Sequence, residues 1–423
     1  MFDFIYKGII RDKKRSLLPI IVVTIGVFVV VFSDGIIGGM MNNMISMTAN
    51  FQTGHVKVMT RAYAKQENEK PIDLSILNAG ELINQLKKDY PIVDWTPRIM
   101  FGGLLDIPDQ KGETKAQGPV SGISVDFLTT GSNELKRLGI KKAIIDGTPI
   151  NRPGQILVSV DFAEKYNVKP GDIVTFFGST MYGSMTFSNF TIAGIVRFGN
   201  SMLDRGAIMI DISDARLLLD MDNAAAEIVG FLPEGKYNNE KAEEIKKSFN
   251  DKWTNNKDEY APIMTQLMDQ EMMSATLGYA KRMSLIMIVL LIIALAIVLW
   301  NAGILGGIRR YNEFGIRLAM GEEKKHIFNS LMIESLIIGI IGSILGTTLG
   351  FMACLILSRH GIDYSAVMRN VSLMMDPVIR TTITPRMLYS GTIPGIISIL
   401  VGTALAGQAI YKRNTAMLFK ELD

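Results

Sequence analysis

The sequence predicts a membrane protein with four transmembrane α-helices and a large α+β extracytoplasmic domain inserted between helices 1 and 2. Three observations predict it. Leu17–Phe32 holds thirteen Leu, Ile, Val or Phe residues and no charge, and Ser284–Trp300 holds twelve, again uncharged. At about −0.3 to −0.6 kcal/mol for each such residue near the bilayer centre, either run favours insertion by roughly 4–8 kcal/mol. Two later runs, 327–357 and 388–411, are richer in Gly, Ser and Thr but exceed the ~20 residues that cross ~30 Å of hydrocarbon. The charges are also lopsided. Thirteen Lys and Arg flank the runs on one side: Lys7, Arg11, Lys13, Lys14, Arg15, Arg309, Arg310, Arg317, Lys324, Lys325, Lys412, Arg413 and Lys420. The short loop on the other side carries four: Arg359, Arg369, Arg380 and Arg386. The positive-inside rule then puts both termini in the cytoplasm and the insert outside it.

The elements follow in order. In residues 1–16, Phe2, Ile5, Tyr6, Ile9 and Ile10 recur at helical spacing among basic residues. This reads as a cytoplasmic interfacial helix, or as a plain extension of the first span. Residues 17–41 are the first span. Its apolar run is too long for a signal peptide, and no A-x-A site follows it.

Residues 42–282 are the extracytoplasmic domain with stalk helices at its ends. Strands are expected at His55–Met59, Gln155–Val160, Ile173–Phe177, Phe190–Val196 and Ala207–Ile210. Helices are expected at Phe162–Tyr166 and Ser213–Leu219, with a turn at Lys169-Pro170-Gly171-Asp172. Pro91–Asp106 reads as two apolar stretches broken by Pro97 and Gly102–Gly103, and Asp126–Ile150 as part of neither edge strand system. Residues 283–307 are the second span, 308–326 a cytoplasmic coupling helix, 327–357 the third span, 358–387 an extracytoplasmic loop, 388–411 the fourth span and 412–423 a cytoplasmic tail.

Composition excludes several functions. A net charge of +3 is too small to point to nucleic acid. Cys354 is the only cysteine, so the insert is held by its own core. His55, His326 and His360 lie far apart, and no Cys or His spacing fits a metal. No G-x-x-x-x-G-K-[ST] occurs, so nothing in the chain is arranged for ATP phosphates. No catalytic constellation is present, and an enzyme is not expected.

Methionines cluster: the chain has 26. Met40, Met41, Met44 and Met47 read as one helical face, Met264, Met268 and Met272 as another, with Met283 and Met287 further on. Unbranched, polarizable Met adapts to varied apolar shapes. These faces are candidates either to contact acyl chains or to pack a two-helix stalk. Gly342, Gly346 and Gly350 form G-x-x-x-G-x-x-x-G, and Gly391/Gly395 and Gly402/Ala406 repeat the spacing. Such stripes let helices approach closely, within one subunit or against a second copy of the chain. Glu334 lies inside the third span, where a carboxylate is costly unless paired. It reads as a structural partner for an arginine of the coupling segment, or as a proton carrier.

The segment Arg309-Arg310-Tyr311-Asn312-Glu313-Phe314-Gly315-Ile316-Arg317-Leu318-Ala319-Met320-Gly321, with Glu334-Ser335 following, resembles the FtsX-like ABC permease family of MacB and lipoprotein-releasing type. The family pattern is an arginine pair, then E-I-G-x-L-R-A-x-G, then Glu-Ser in the next span. Phe314 stands at the Ile and Ile316 at the variable position. Gly54-His55-Val56, Ile156–Ser159, Phe162–Val168, Lys169–Val174, Phe190–Gly199, Asp204 and Asp214–Leu218 extend the resemblance toward lipoprotein-releasing permeases.

The resemblance implies that Arg309, Arg310, Glu313, Gly315, Arg317, Gly321 and Glu334 belong to ATPase coupling. It implies a cytoplasmic ABC ATPase partner, a second permease copy or paralogue, and lipid or lipoprotein cargo. ATP and Mg would be held by the partner, with no cofactor on this chain. The location implied is a bacterial inner membrane. The expected function is lipoprotein release; the alternatives are MacB-type efflux of peptides or toxins and transmembrane signalling.

Overall fold

A computed structural model describes residues 13–109, 111–198, 201–254, 256, 258–309, 311–363 and 378–412. The expected interfacial helix at 1–16 and the tail at 412–423 therefore lie almost wholly outside the described residues. The chain divides into two units.

The first unit holds four helices long and apolar enough to cross a membrane. They are α1 (Lys13–Thr48), α2 (Glu271–Arg309), α3 (Lys324–His360) and α4 (Met387–Lys412). The last residues of α1 and the first of α2 fall in the second unit. Each helix exceeds its apolar run, because polar flanks continue the helical hydrogen bonding past the bilayer thickness.

Valine and glycine key the first unit together. Val23, Val27 and Val31 recur every four residues on α1 and are fully buried. A Cβ added at Gly342, Gly346 or Gly350 would meet Val23 at 2.9 Å, Val27 at 2.7 Å and Val31 at 2.8 Å respectively. Both series ascend together, so α1 and α3 run parallel. Gly391 faces Val31 and Val27, and Gly395 faces Val27 and Ser343, so α4 runs antiparallel to α1. Gly402 faces Leu299 and Gly303 faces Ala406, which seats α4 on α2 in parallel. The glycine stripes thus pack spans of the same chain, where van der Waals fit rather than the hydrophobic effect holds helices together.

The second unit is a mixed ten-stranded sheet. Its strands are β1 (Val56–Thr60), β2 (Asp94–Pro108), β3 (Thr114–Val125), β4 (Ile144–Gly147), β5 (Gln155–Ser159), β6 (Ile173–Ser179), β7 (Met185–Val196), β8 (Ala207–Asp211), β9 (Glu227–Phe231) and β10 (Pro262–Gln266). The order β2-β3-β8-β5-β7 is closed by β6, which pairs with both β7 and β2. These strands make a small barrel. Its interior is filled by Phe101, Leu105, Ile156, Val158, Val174, Phe176, Ile192, Ile208 and Ile210. The alternate residues Leu157, Met209, Ala207 and Val196 face outward into a second core under the short helices Glu134–Arg137 and Ile140–Ala143. Burial on both faces explains why these strands read as unbroken apolar runs.

Two expectations are corrected here. Pro91–Asp106 is not broken. One strand, β2, pairs with β9 through Asp94–Arg98 and with β3 beyond it, so a single strand serves both the barrel and the sheet β9-β1-β10. Gly103 leaves room for Phe176 instead of ending the strand. Asp126–Ile150 is not outside the sheet either. It covers the second core and contributes β4, which pairs with β7.

The sheet β10-β1-β9 buries its apolar face against two helices, Ala79–Asp89 and Asn239–Trp253. Both have clear helical amphipathicity that the strand-oriented reading passed over: Ile83 and Leu86 on one, and Ala242, Ile245 and Phe249 on the other, are buried. Asn238 caps the second helix through the Lys241 amide.

Candidate functional site

The coupling segment expected as one helix over 308–326 is interrupted at Gly321. Helix is described up to Arg309 and again over Tyr311–Ala319, and α3 begins at Lys324. The break has a chemical cause. Gly321 adopts φ +90°, which L side chains rarely reach. Its amide donates to the Leu318 carbonyl at 3.1 Å, and the Glu322 amide donates to the Arg317 carbonyl at 3.0 Å. Those two bonds are a Schellman cap, which satisfies carbonyls that the helix end leaves orphaned.

The short helix has an anchored side and an offered side. Phe314 is 3% exposed, whereas Ile316 and Met320, four residues apart, are 61% and 75% exposed. Sequence reasoning missed this pair, because Ile316 occupied a variable position in a pattern read for its charges. The spacing i,i+4 was the signal that would have found it. Arg317 precedes Leu318, the reverse of the order in the family pattern. That moves the positive side chain about 100° around the helix. Glu313 and Arg317 share this helix, and Arg317 is half-buried. The side chains of Arg309, Arg310 and Glu313 lie outside the described residues, and Gly315 is in the helix between Phe314 and Ile316. Glu334 is half-buried on α3, nearly three turns after its start at Lys324.

The methionines do not form two matching faces. Met40, Met41, Met44 and Met47 are all half-buried on α1. Met264, by contrast, lies in β10 opposite Val58 and is 1% exposed. Met268 sits in the short helical turn Leu267–Asp269, and α2 starts only at Glu271, just before Met272. Gln266 and Asp269 make a capping box that separates strand from helix. The helical spacing of Met264, Met268 and Met272 is thus a coincidence, and Met264 cannot touch cargo. Met283 and Met287 are exposed on α2.

The second unit carries an apolar row of its own. Leu104 on β2, Phe177 on β6 and Phe187 on β7 are direct cross-strand partners. Leu104 and Phe187 are exposed, as are Met185 and Tyr182 at the end of the β6–β7 hairpin. Among the described residues no group of His, Cys, Asp and Glu is placed to hold a metal ion.

A four-span bundle with a capped juxtamembrane helix and a large barrel-bearing domain between its first two spans defines a multi-pass permease-type membrane protein. The MacB-like periplasmic core domain matches residues 16–247, and the FtsX-like permease C-terminal domain matches 285–415. The chain belongs to the FtsX/MacB-type ABC transporter permease family. Permeases of this family are transmembrane subunits that work with a cytoplasmic ABC ATPase. Among solved structures, the periplasmic region of MacB from Actinobacillus actinomycetemcomitans is similar over 52% of this chain and 91% of that one, at 11% identity and a TM-score of 0.35. No curated protein matches the chain.

Proposed function

We propose that this chain is the permease subunit that couples ATP hydrolysis by a partner ATPase to extraction of lipoproteins from the outer leaflet of a bacterial inner membrane. Both termini and the Tyr311–Ala319 helix are then cytoplasmic, in keeping with the thirteen-to-four excess of Lys and Arg. The observation that carries the coupling role is that helix. It is joined to α2 and α3, ended by the Gly321 cap, and offers Ile316 and Met320 outward beside Arg317. A short rigid helix with an exposed apolar pair suits docking into a groove on a partner. Nucleotide-driven closure of the partner then moves α2 and α3 through it.

Release of lipoproteins is favoured by the order of insert motifs from Gly54-His55-Val56 to Asp214–Leu218. The adaptable methionines Met40, Met41, Met44 and Met47, with Met283 and Met287, are the candidate acyl-chain contacts. Efflux of peptides or toxins is the second reading, favoured by the MacB-like match of the insert.

Affinity purification of the full chain in mild detergent, with mass spectrometry of what co-elutes, separates the two. A small ATPase together with acylated lipoproteins is the expected result. An ATPase with an adaptor or outer-membrane channel instead would replace lipoprotein release by efflux, and the absence of any ATPase would remove the transporter reading. Independently, Glu313→Lys is expected to leave the permease folded and to uncouple ATPase activity from transport. Normal transport in that variant would refute the coupling assignment.

A further inference from the structure

Four arginines stand exposed at the end of the first unit opposite the Tyr311–Ala319 helix: Arg282 on α2, Arg359 near the end of α3, Arg380 on the segment before α4 and Arg386 where α4 starts. Helix contacts put them at one level. Gly35 of α1 lies against Cys354 of α3 and Met387 of α4. The Thr382 amide donates to the Gly35 carbonyl at 3.1 Å, and the Arg380 backbone packs on Gly39, one turn further out. The parallel contacts of Leu299 with Gly402 and Gly303 with Ala406, continued back along α2 and α4, bring Arg386 level with Met283, beside Arg282. Arg359 lies five residues beyond Cys354, about 8 Å at 1.5 Å per residue. All four thus fit within a headgroup layer, which is about 5–8 Å deep on either side of the hydrocarbon.

Three of them also end an apolar stripe. Arg282 continues the line of Ile286 and Val289, Arg359 that of Ile356 and Met352, and Arg386 that of Tyr389 and Ile393, all of them exposed. Spacings of three or four and then seven residues keep each set on one helix face. An exposed apolar stripe on a span faces acyl chains, so the arginine at its end meets the headgroups of the same lipids. None of the four enters an ion pair among the described residues. Arg282 donates from Nε to the Gly278 carbonyl at 3.3 Å and stacks 5.0 Å from the Tyr279 ring. Asp34, the acid of α1 at this level, accepts from the Ser390 hydroxyl at 3.2 Å instead. The thirteen Lys and Arg that orient the chain flank the other ends of the spans, so the orientation rule does not account for these four.

We propose that this arginine belt binds anionic phospholipid in the leaflet on the insert's side, with the lipid phosphate on Arg282 and Arg386 and the acyl chains along the stripes beneath them. A guanidinium presents a planar fork that matches two phosphate oxygens. A zwitterionic lipid brings an ammonium of its own, which the belt repels, whereas a glycerol headgroup leaves the phosphate charge uncancelled. The inference needs only that the four helices span a bilayer, so it stands whatever the cargo is.

The test places a benzophenone side chain at position 389 of the full chain, in vesicles of equal parts glycerol, aminoethyl and choline phospholipid, and identifies the cross-linked lipid by mass spectrometry. With all four arginines present, the anionic glycerol lipid is expected about fivefold over the choline lipid, the scale of one basic side chain near an anionic surface. Arg282→Gln with Arg386→Gln is expected to abolish that preference at an unchanged melting temperature, since both side chains are exposed. Arg282→Lys with Arg386→Lys, which keeps the charge and loses the fork, is expected to keep part of it. Equal cross-linking of the three lipids with the arginines in place, or a Gln variant that keeps the preference, overturns the proposal. So does cross-linking to a second copy of the chain in place of lipid.

Discussion

His55 shows how little a single residue's type reveals about its role. It is 1% exposed, and its Nδ1 accepts the Leu232 amide at 2.9 Å while its ring lies edge-on to Phe231 and Tyr237. Burial, helped by the Arg137 charge, pulls its pKa down from 6.5 to about 4. The unfolded chain therefore binds a proton that the native chain refuses across that window. Stability contributed by the neutral ring is complete above pH 6.5 and is lost as pH falls toward 4, on the order of 3 kcal/mol in all. Thermal unfolding of the wild type is expected to weaken over that window. In His55→Asn, whose amide oxygen can still accept the Leu232 amide, the slope should flatten; equal slopes would show that another group titrates. Lys57 is a second buried charge. It pairs with Glu67 and with Glu227 at 3.5 Å, and Glu227 also accepts from Lys70 at 2.9 Å and Tyr63 at 3.1 Å. Burial pushes the Glu227 carboxyl up, but the two lysines and the Tyr63 hydroxyl outweigh it and hold it below its ordinary value. Lys57→Met is expected to cost up to about 3 kcal/mol, because it removes one of the two cations that hold the buried Glu227 carboxylate. The double variant with Glu227→Gln should recover part of that loss in a denaturation cycle, and strict additivity would deny the coupling.

At the scale of elements, the valine ridge of α1 and the glycine pits of α3 and α4 decide how the spans pack. Val27 is met by Gly346, Gly391 and Gly395 at once. Gly346→Leu is therefore expected to push α1 and α3 apart, and the measurement is the detergent-solubilised melting temperature against that of Gly350→Ala as the milder case. A Gly346→Leu melting temperature equal to wild type would place the stripe outside the packing. In the second unit Arg98 plays the joining part. Its guanidinium donates to the Asn50 carbonyl at 2.5 Å and to Glu134 at 2.8 Å, tying the turn after α1 to β2 and to the short helix Glu134–Arg137. A cation on the carbonyl end of a helix is favourable by the helix dipole as well as by the hydrogen bond.

At the scale of the whole molecule, the chain works through contacts it offers outward. Ile316 and Met320 are the pair exposed by the capped cytoplasmic helix under the orientation proposed above. Ile316→Glu with Met320→Glu should leave insertion and the melting temperature unchanged, since neither side chain packs, and should abolish co-purification of the ATPase. Retention of the ATPase by that variant would move the docking surface elsewhere.

The membrane class and the four spans were legible in the sequence, because insertion depends on apolar content summed along the chain and needs no partner. Strands such as Gln155–Ser159 and Ala207–Asp211 were legible for a related reason, being buried on both faces and so apolar throughout. What depended on partners distant in sequence was not. Closure of the barrel by β6 joins strands some seventy residues apart, and no local pattern encodes it. β2 continues through Pro97 and Gly102–Gly103 because β9, β3 and β6 supply its neighbours. Met264 leaves the helical series because pairing with β1 outweighs a spacing that suits either structure. The glycine stripes announced close packing, but only the valines opposite them identify the partner as the same chain. One-dimensional sums fixed where the chain crosses the membrane; which surfaces meet was decided by contacts that exist only once the helices and strands are assembled.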